Sequence, residues 1–374
     1  MKNILIAFLS CFLFITMLNS QSNDYYLLVG TYTTSPSDGI EVFGYNSGNG
    51  QFHFMHRTPL QNPSYLAVSP DHKFLYSVAE NGQPNGGSVY SFKLDTHQGS
   101  LEKINSQPSM GNHPCYVSVF KTGKYVAAGN YSSGNLVYYS VNADGSLNAP
   151  LNIVHKGSGG IKGRQDSPHV HAAVYTPDNK YLLVPDLGAD RVVIYALKTD
   201  GMIDQNKTSA LQLPPASGPR HIEFHPSGKW AYLMEEISGK MTALSYSNGK
   251  LKIINSVMCY PDGYSGALAS ADVHVSPDGK YVYGSNRIQH NSIGIFKIDP
   301  VNGKVSKIAN QDAKGEIPRN FTFDPTGNLL LVANQNSGEV VLFKVDKSTG
   351  LLTDTGNRLS INKPVCLKWV KKDS

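Results

Sequence analysis

The chain predicts an all-β fold, a seven-bladed β-propeller with four antiparallel strands per blade and the last blade closed by both termini. Three observations carry this. A unit recurs about every 50 residues, apolar residues inside it alternate with period two, and the two ends of the chain supply the halves of one missing unit.

The unit is an alternating apolar strand, a turn of the Pro-Asp-Gly kind and an aromatic-rich strand, as in Leu66-Ala-Val-Ser-Pro-Asp-His-Lys-Phe-Leu-Tyr76 and Val273-His-Val-Ser-Pro-Asp-Gly-Lys-Tyr-Val-Tyr283. Its turns fall at Pro70, Lys121, Pro177, Pro226, Pro277 and Pro325, at intervals of 51, 56, 49, 51 and 48 residues. A further strand pair follows each hairpin, such as the one opened by Val192-Val-Ile-Tyr-Ala-Leu197, so each unit holds four strands. Helical repeats share this period, but their apolar residues recur every 3.6 positions, not every second one.

The ends fit the same scheme. Tyr25-Tyr-Leu-Leu-Val-Gly-Thr-Tyr32 reads as the second strand of a blade and Ile40-Glu-Val-Phe-Gly-Tyr45 as the third. The innermost strand that they lack is supplied by Pro364-Val-Cys-Leu-Lys-Trp-Val370. Closure of this kind leaves no sheet edge free to pair with another chain. One domain is therefore expected over 21–374.

Ahead of it, Met1 to Ser20 join Lys2 to an apolar run from Ile4 to Leu18 and end on a small residue, the pattern of a secretory signal peptide. Roughly 15 apolar residues fall short of the ~20 that span a bilayer. A cleaved leader over 1–20 is expected, with export to the periplasm or the medium and no membrane association afterwards. Without Lys2 the balance is 32 basic to 28 acidic side chains, and the like charges cluster only in the tail Lys368, Lys371 and Lys372. Nucleic-acid binding is not implied. Cys115, Cys259 and Cys366 are odd in number and far apart, a poor disulfide framework and a better set of buried thiols. A monomer is expected.

Aligning the blades on their turns makes equivalent positions comparable. Six residues before the turn stand Ser64, Cys115, His171, Arg220, Ala271 and Arg319; ten residues after it stand Glu80, Tyr131, Leu187, Glu236, Arg287 and Gln335. Antiparallel strands place both positions at one end of the propeller, the rim of the channel mouth. Arginine offers a planar fork for carboxylate or phosphate. Histidine titrates near neutrality, and burial can tune a glutamate toward it, so either is a candidate for moving a proton. There is no Gly-x-Ser-x-Gly elbow, and no cysteine stands beside an evident base. Hydrolysis by activated water fits better than covalent catalysis.

The interval of 56 marks an insertion, His155-Lys-Gly-Ser-Gly-Gly-Ile-Lys-Gly-Arg-Gln-Asp-Ser-Pro-His169, read as a flap over the mouth. Arg164, Gln165 and His169 from this segment, with Arg319 and Gln335 from the rim, are the expected substrate-binding residues. His169 and His171 share a strand face as a metal pair does, but no third ligand lies in register. Neither zinc nor calcium at Glu80, Asp186 or Glu235 is favoured, and no metal or other cofactor is expected.

In order along the chain, Ser167-Pro-His-Val-His171, Pro185-Asp-Leu-Gly188, Gly218-Pro-Arg-His-Ile-Glu-Phe-His-Pro226, Ser285-Asn-Arg287, Pro318-Arg319, Ala333-Asn-Gln335 and Pro364-Val-Cys366 resemble the propeller lactonase family. That family holds the propeller-type 6-phosphogluconolactonases and the fungal carboxy-muconate lactonizing enzymes, and the resemblance runs from about Tyr25 to Val370. It implies catalytic roles for His171, Arg220, Glu236 and Arg287, the residues already picked out by register. It also implies ring-opening hydrolysis of a small-molecule sugar lactone, 6-phosphogluconolactone being the family's named substrate. Where Asn-Glu is expected this chain has Glu235-Glu236, which leaves the acid open between the two. The leader pulls against a phosphorylated substrate of the cytosol, so a non-phosphorylated aldonolactone or another lactone met outside the inner membrane stands beside it. A muconate-type cycloisomerase and a non-catalytic ligand-binding propeller are the alternatives.

Overall fold

Successive side chains of a strand face opposite sides of its sheet, and a propeller blade has a neighbour on each side. In the computed structural model, Tyr26 and Leu28 join a core with Leu75, Tyr76 and Phe92 of one neighbouring blade, while Leu27 and Val29 join Leu331 and Leu342 of the other. The structure describes residues 24–373 apart from Asn85, so the leader expected over 1–20 lies outside the described residues.

Seven four-stranded antiparallel sheets form. Residues 66–108, 114–154, 174–212, 219–258, 270–312 and 318–360 are blades 1 to 6 in chain order. Blade 7 is closed as expected: Pro364–Lys371 pairs antiparallel with Asp24–Thr31, beside Gly39–Asn46 and Gln51–Pro59. The first strands of most neighbouring blades pack on one another and surround the axis. Among the described residues the helical content is one short turn, Leu187–Ala189. Cys115, Cys259 and Cys366 are buried free thiols.

The aromatic residues that recur after each turn lock a blade to the next. Gly303 of blade 5 has φ +73°, and a Cβ there would stand 2.5 Å from the Trp230 ring of blade 4. Gly145 of blade 2 meets Phe74 in the same way, and its carbonyl accepts the hydroxyls of Tyr76 and Ser91 at 3.2 and 2.6 Å.

A second recurrence shapes the mouth. In blades 2, 4 and 6 the ladder slips at the start of the inner strand, between Pro114 and Tyr116, Pro219 and His221, and Pro318 and Asn320. Proline has no N–H to give the ladder, and a bulge re-aims the residue that it leaves unpaired. Those residues are Cys115, Arg220 and Arg319, which come close enough across the axis for both guanidinium groups to act on the Cys115 thiol.

Candidate active site

Glu236 follows the strand Trp230–Glu235 and donates its N–H to the Gly218 carbonyl at 2.7 Å. Its Oε2 accepts Arg220 Nε at 2.9 Å and Arg287 Nη2 at 3.0 Å, and its Oε1 accepts Arg164 Nη2 at 2.5 Å. Arg220 Nη1 donates to the Ala271 carbonyl at 2.7 Å and Arg287 Nε to that of Ala269 at 3.2 Å, which orients both forks. Arg220 is only 1% exposed, so it is a buried residue of the channel, where register placed it on the rim.

Burial raises the Glu236 carboxyl, but Arg287, Arg220, Arg164 and Arg319 outweigh it and hold the pKa at about 2. The expected tuning of this acid toward neutrality therefore does not occur. Glu236 is a fixed carboxylate that gathers three guanidinium groups. Glu235 has other partners, Ser238 at 2.5 Å and Thr242 at 2.6 Å, so Glu236 is the acid that faces the arginines.

His171 stands beside this cluster with its ring edge-on to Tyr131 and His221, at centroid distances of 5.5 and 5.3 Å. Its Nδ1 lies 3.6 Å from the Cys115 sulfur. Burial first, then Arg220, His221 and Arg319, push the imidazole well below the usual histidine range, so it is neutral at physiological pH. Burial pushes the Cys115 thiol up, so it remains protonated and a poor nucleophile.

The other half of the mouth is built on Glu80, which accepts the hydroxyls of Tyr32, at 2.9 Å, and Ser64. Arg319 reaches Glu80 only at 3.9 Å and lies over the Tyr32 ring at 5.3 Å. Four guanidinium groups, of Arg164, Arg220, Arg287 and Arg319, thus share the mouth with two carboxylates, Glu80 and Glu236. The surplus of positive charge suits an anion or an oxygen that becomes one.

The flap divides its residues unevenly. Arg164 reaches the mouth, whereas Gln165 is fully buried and donates to the Leu187 carbonyl at 2.9 Å and to Asp190 at 2.6 Å. Asp190 also accepts the Gly218 N–H at 2.8 Å, so Gln165 ties the flap to the loop that carries Arg220 and is not available to a ligand. His169 stacks on Tyr131 at 4.5 Å and bonds the Tyr131 carbonyl through Nδ1 at 2.8 Å, which braces the mouth wall. Gln335 donates to its neighbour Asn336 at 3.2 Å and has no hydrogen bond to the arginine cluster.

The family model of the seven-bladed β-propeller lactonases matches residues 26–369. The chain belongs to this family. A 6-phosphogluconolactonase of Formosa agariphila is 37% identical over 342 residues, covering 90% of this chain and 97% of its own length. The Bacillus subtilis protein of the same name is 36% identical over 347 residues, 91% of this chain and 97% of its own. Among solved structures, the periplasmic gluconolactonase of Pseudomonas aeruginosa matches with a TM-score of 0.88 at 33% identity, over 94% of this chain and 100% of the other.

Two features around this propeller-lactonase site escape the register. Tyr32 is the blade 7 counterpart of Glu236, hidden because that blade is split between the termini; carrying the register across the closure finds it. His221 and Asp272 face the far side of Arg220 and border a cavity of about 380 Å³ with Tyr65, Tyr116, His274 and Lys368. The acids weighed for calcium are engaged by protein groups: Asp186 by His155 at 2.9 Å and Arg191 at 3.3 Å, Glu235 by Ser238 and Thr242, and Glu80 by Tyr32 and Ser64. Among the described residues no group of three or more His, Cys, Asp or Glu side chains is arranged to hold a metal ion.

Proposed function

We propose that this chain is an exported sugar lactonase that opens its substrate by attack of water, with His171, Arg220, Glu236 and Arg287 as the catalytic set. The observation that carries the reading is the neutral His171 imidazole beside three guanidinium groups gathered on one carboxylate. Arg220 and Arg287 donate to the lactone carbonyl oxygen and stabilise the negative charge that develops there, while Glu236 keeps them in place. His171 takes a proton from water as the water oxygen bonds to the carbonyl carbon. The ring C–O bond then breaks, and the departing alkoxide takes that proton to become a hydroxyl. The product is a hydroxy acid that ionises at neutral pH. Negative charge on the intermediate offsets Arg220 and Arg319, the cations that depress His171, so the imidazole gains basicity when it must accept the proton.

Arg319, whose partner Glu80 is distant, is the cation left to hold a substrate oxygen or anion. The leader over 1–20 and the likeness to a periplasmic gluconolactonase support export, and hence a non-phosphorylated aldonolactone as the substrate encountered. Steady-state assays on glucono-1,5-lactone and its 6-phosphate test this, with spontaneous opening subtracted. The unphosphorylated lactone should be turned over at least as efficiently, and Arg319→Ala should raise its KM about tenfold with kcat little changed. A preference of about a hundredfold for the phosphate would overturn the choice of substrate.

The pH dependence follows from His171. Its pKa is displaced downward, so the active neutral form is present above that value and is lost only as pH falls through it. We therefore expect kcat/KM to be level from about pH 6 to 8 and to decline on the acid side. An inflection at the ordinary histidine value of 6.5 would contradict the assignment.

A further inference from the structure

We propose that His221 and Asp272 are positioning residues for Arg220: Asp272 pins the imidazole proton on Nδ1, Nε2 accepts one Arg220 Nη1 hydrogen, and Nη2 is thereby left to face the substrate. This rests on the reading of Arg220 as a substrate-facing cation. Arginine can only donate and an ionised aspartate can only accept, so a ring between them has a single workable neutral tautomer. His221 Nδ1 lies 2.7 Å from Asp272 Oδ1, and its Nε2 lies 3.3 Å from Arg220 Nη1. The remaining Nη1 hydrogen goes to the Ala271 carbonyl at 2.7 Å and Nε–H to Glu236 at 2.9 Å. Three of the five guanidinium hydrogens are thus fixed by protein acceptors, and among the described residues the two on Nη2 have none.

The rest of the cluster holds Asp272 charged and still. Its Oδ2 accepts Asn320 Nδ2, the Phe321 N–H at 3.3 Å and His274 Nε2 at 3.2 Å, while His274 Nδ1 pairs with Glu223 at 2.6 Å. The His221 ring is confined by edge contacts at 5.3 Å to Tyr116 and 5.8 Å to Tyr65, which stack on each other at 4.2 Å. Burial, then Arg220, bring the His221 pKa down to about 4 despite Asp272, consistent with a neutral ring. Protonated at both nitrogens, it would turn an N–H against the guanidinium and lose its role.

A double-mutant cycle tests this on the full-length chain with the best lactone substrate. His221→Phe keeps the aromatic packing but removes the acceptor, and kcat should fall tenfold to a hundredfold, on the order of the cost of misplacing a reacting group, with KM changed less than about threefold. His221→Gln, which restores an acceptor near the Nε2 position, should recover most of that loss. In an Arg220→Lys background, His221→Phe should cost no more than about twofold further. Wild-type kcat in His221→Phe, or the same fold loss with and without the Arg220 change, overturns the inference. Should His221→Phe fail to fold, Asp272→Asn, which releases the tautomer, must show the same kcat loss and the same dependence on Arg220. If Arg220→Lys itself turns over at the wild-type rate, the proposed role of Arg220 fails instead.

Discussion

Replacing Arg220 by alanine is expected to lower turnover about a hundredfold or more. A preorganised donor aimed at a developing oxyanion is worth roughly 3–4 kcal/mol, or two to three powers of ten in rate. The loss should appear in kcat, because the interaction strengthens only as the carbonyl oxygen takes on charge. Stability should fall less. Arg220 is 1% exposed and bonded to Glu236, Ala271 and His221, but Arg164 and Arg287 stay on the carboxylate when it is removed. A lost hydrogen bond of this kind costs about 1–3 kcal/mol, a lowered melting temperature and not an unfolded protein. Lys229→Ala, in the turn between the first two strands of blade 4 and far from the mouth, should change neither rate nor melting.

Ending the chain after Asn362 is expected to abolish cooperative folding. The cut removes Pro364–Lys371, whose Val365, Cys366, Leu367 and Val370 are at most 2% exposed. It also strips the partner from Asp24–Thr31, paired from Tyr25 with Lys371 to Thr31 with Pro364. Burying an apolar side chain of this size contributes about 1.5–3 kcal/mol, so the four together approach the whole stability of an ordinary domain, about 5–15 kcal/mol. Blade 6 also loses the contact from Asn320 Oδ1 to the Leu367 N–H at 2.8 Å, so the ring opens where blades 6 and 7 meet. Circular dichroism melting of the truncated chain checks this, and an unchanged transition would refute closure as the source of stability.

Much of this architecture was legible in the sequence because a propeller writes its period into the chain. The spacing of Pro70, Pro177, Pro226, Pro277 and Pro325 located the blades, and Pro364-Val-Cys366 located the closing strand. Register also brought His171, Arg220, Glu236 and Arg287 to one end, because equivalent strand ends of a propeller must face the same mouth. It could not tell depth. The bulge after Pro219 turns Arg220 inward, a local break in the ladder that periodicity averages away. Nor could it tell which polar side chains look at each other. Gln165 has the chemistry of a ligand contact, but Asp190 and the Leu187 carbonyl occupy its amide, and His169 turns Nδ1 to the Tyr131 carbonyl. His221, next to Arg220 in the chain, reads as an ordinary strand residue until Asp272, 51 positions on, is seen against it.

Hydrolysis of lactones at the mouth of this propeller is measured by acid release from a sugar lactone in a pH-stat. The wild-type protein is compared with the double variant His171→Ala/Arg220→Ala after subtraction of spontaneous opening. The wild type should show saturable hydrolysis, with product mass increased by one water, and the double variant should lose at least about a hundredfold while still melting cooperatively. Equal rates from the two folded proteins would rule out catalysis by these residues and reduce the mouth to a binding surface.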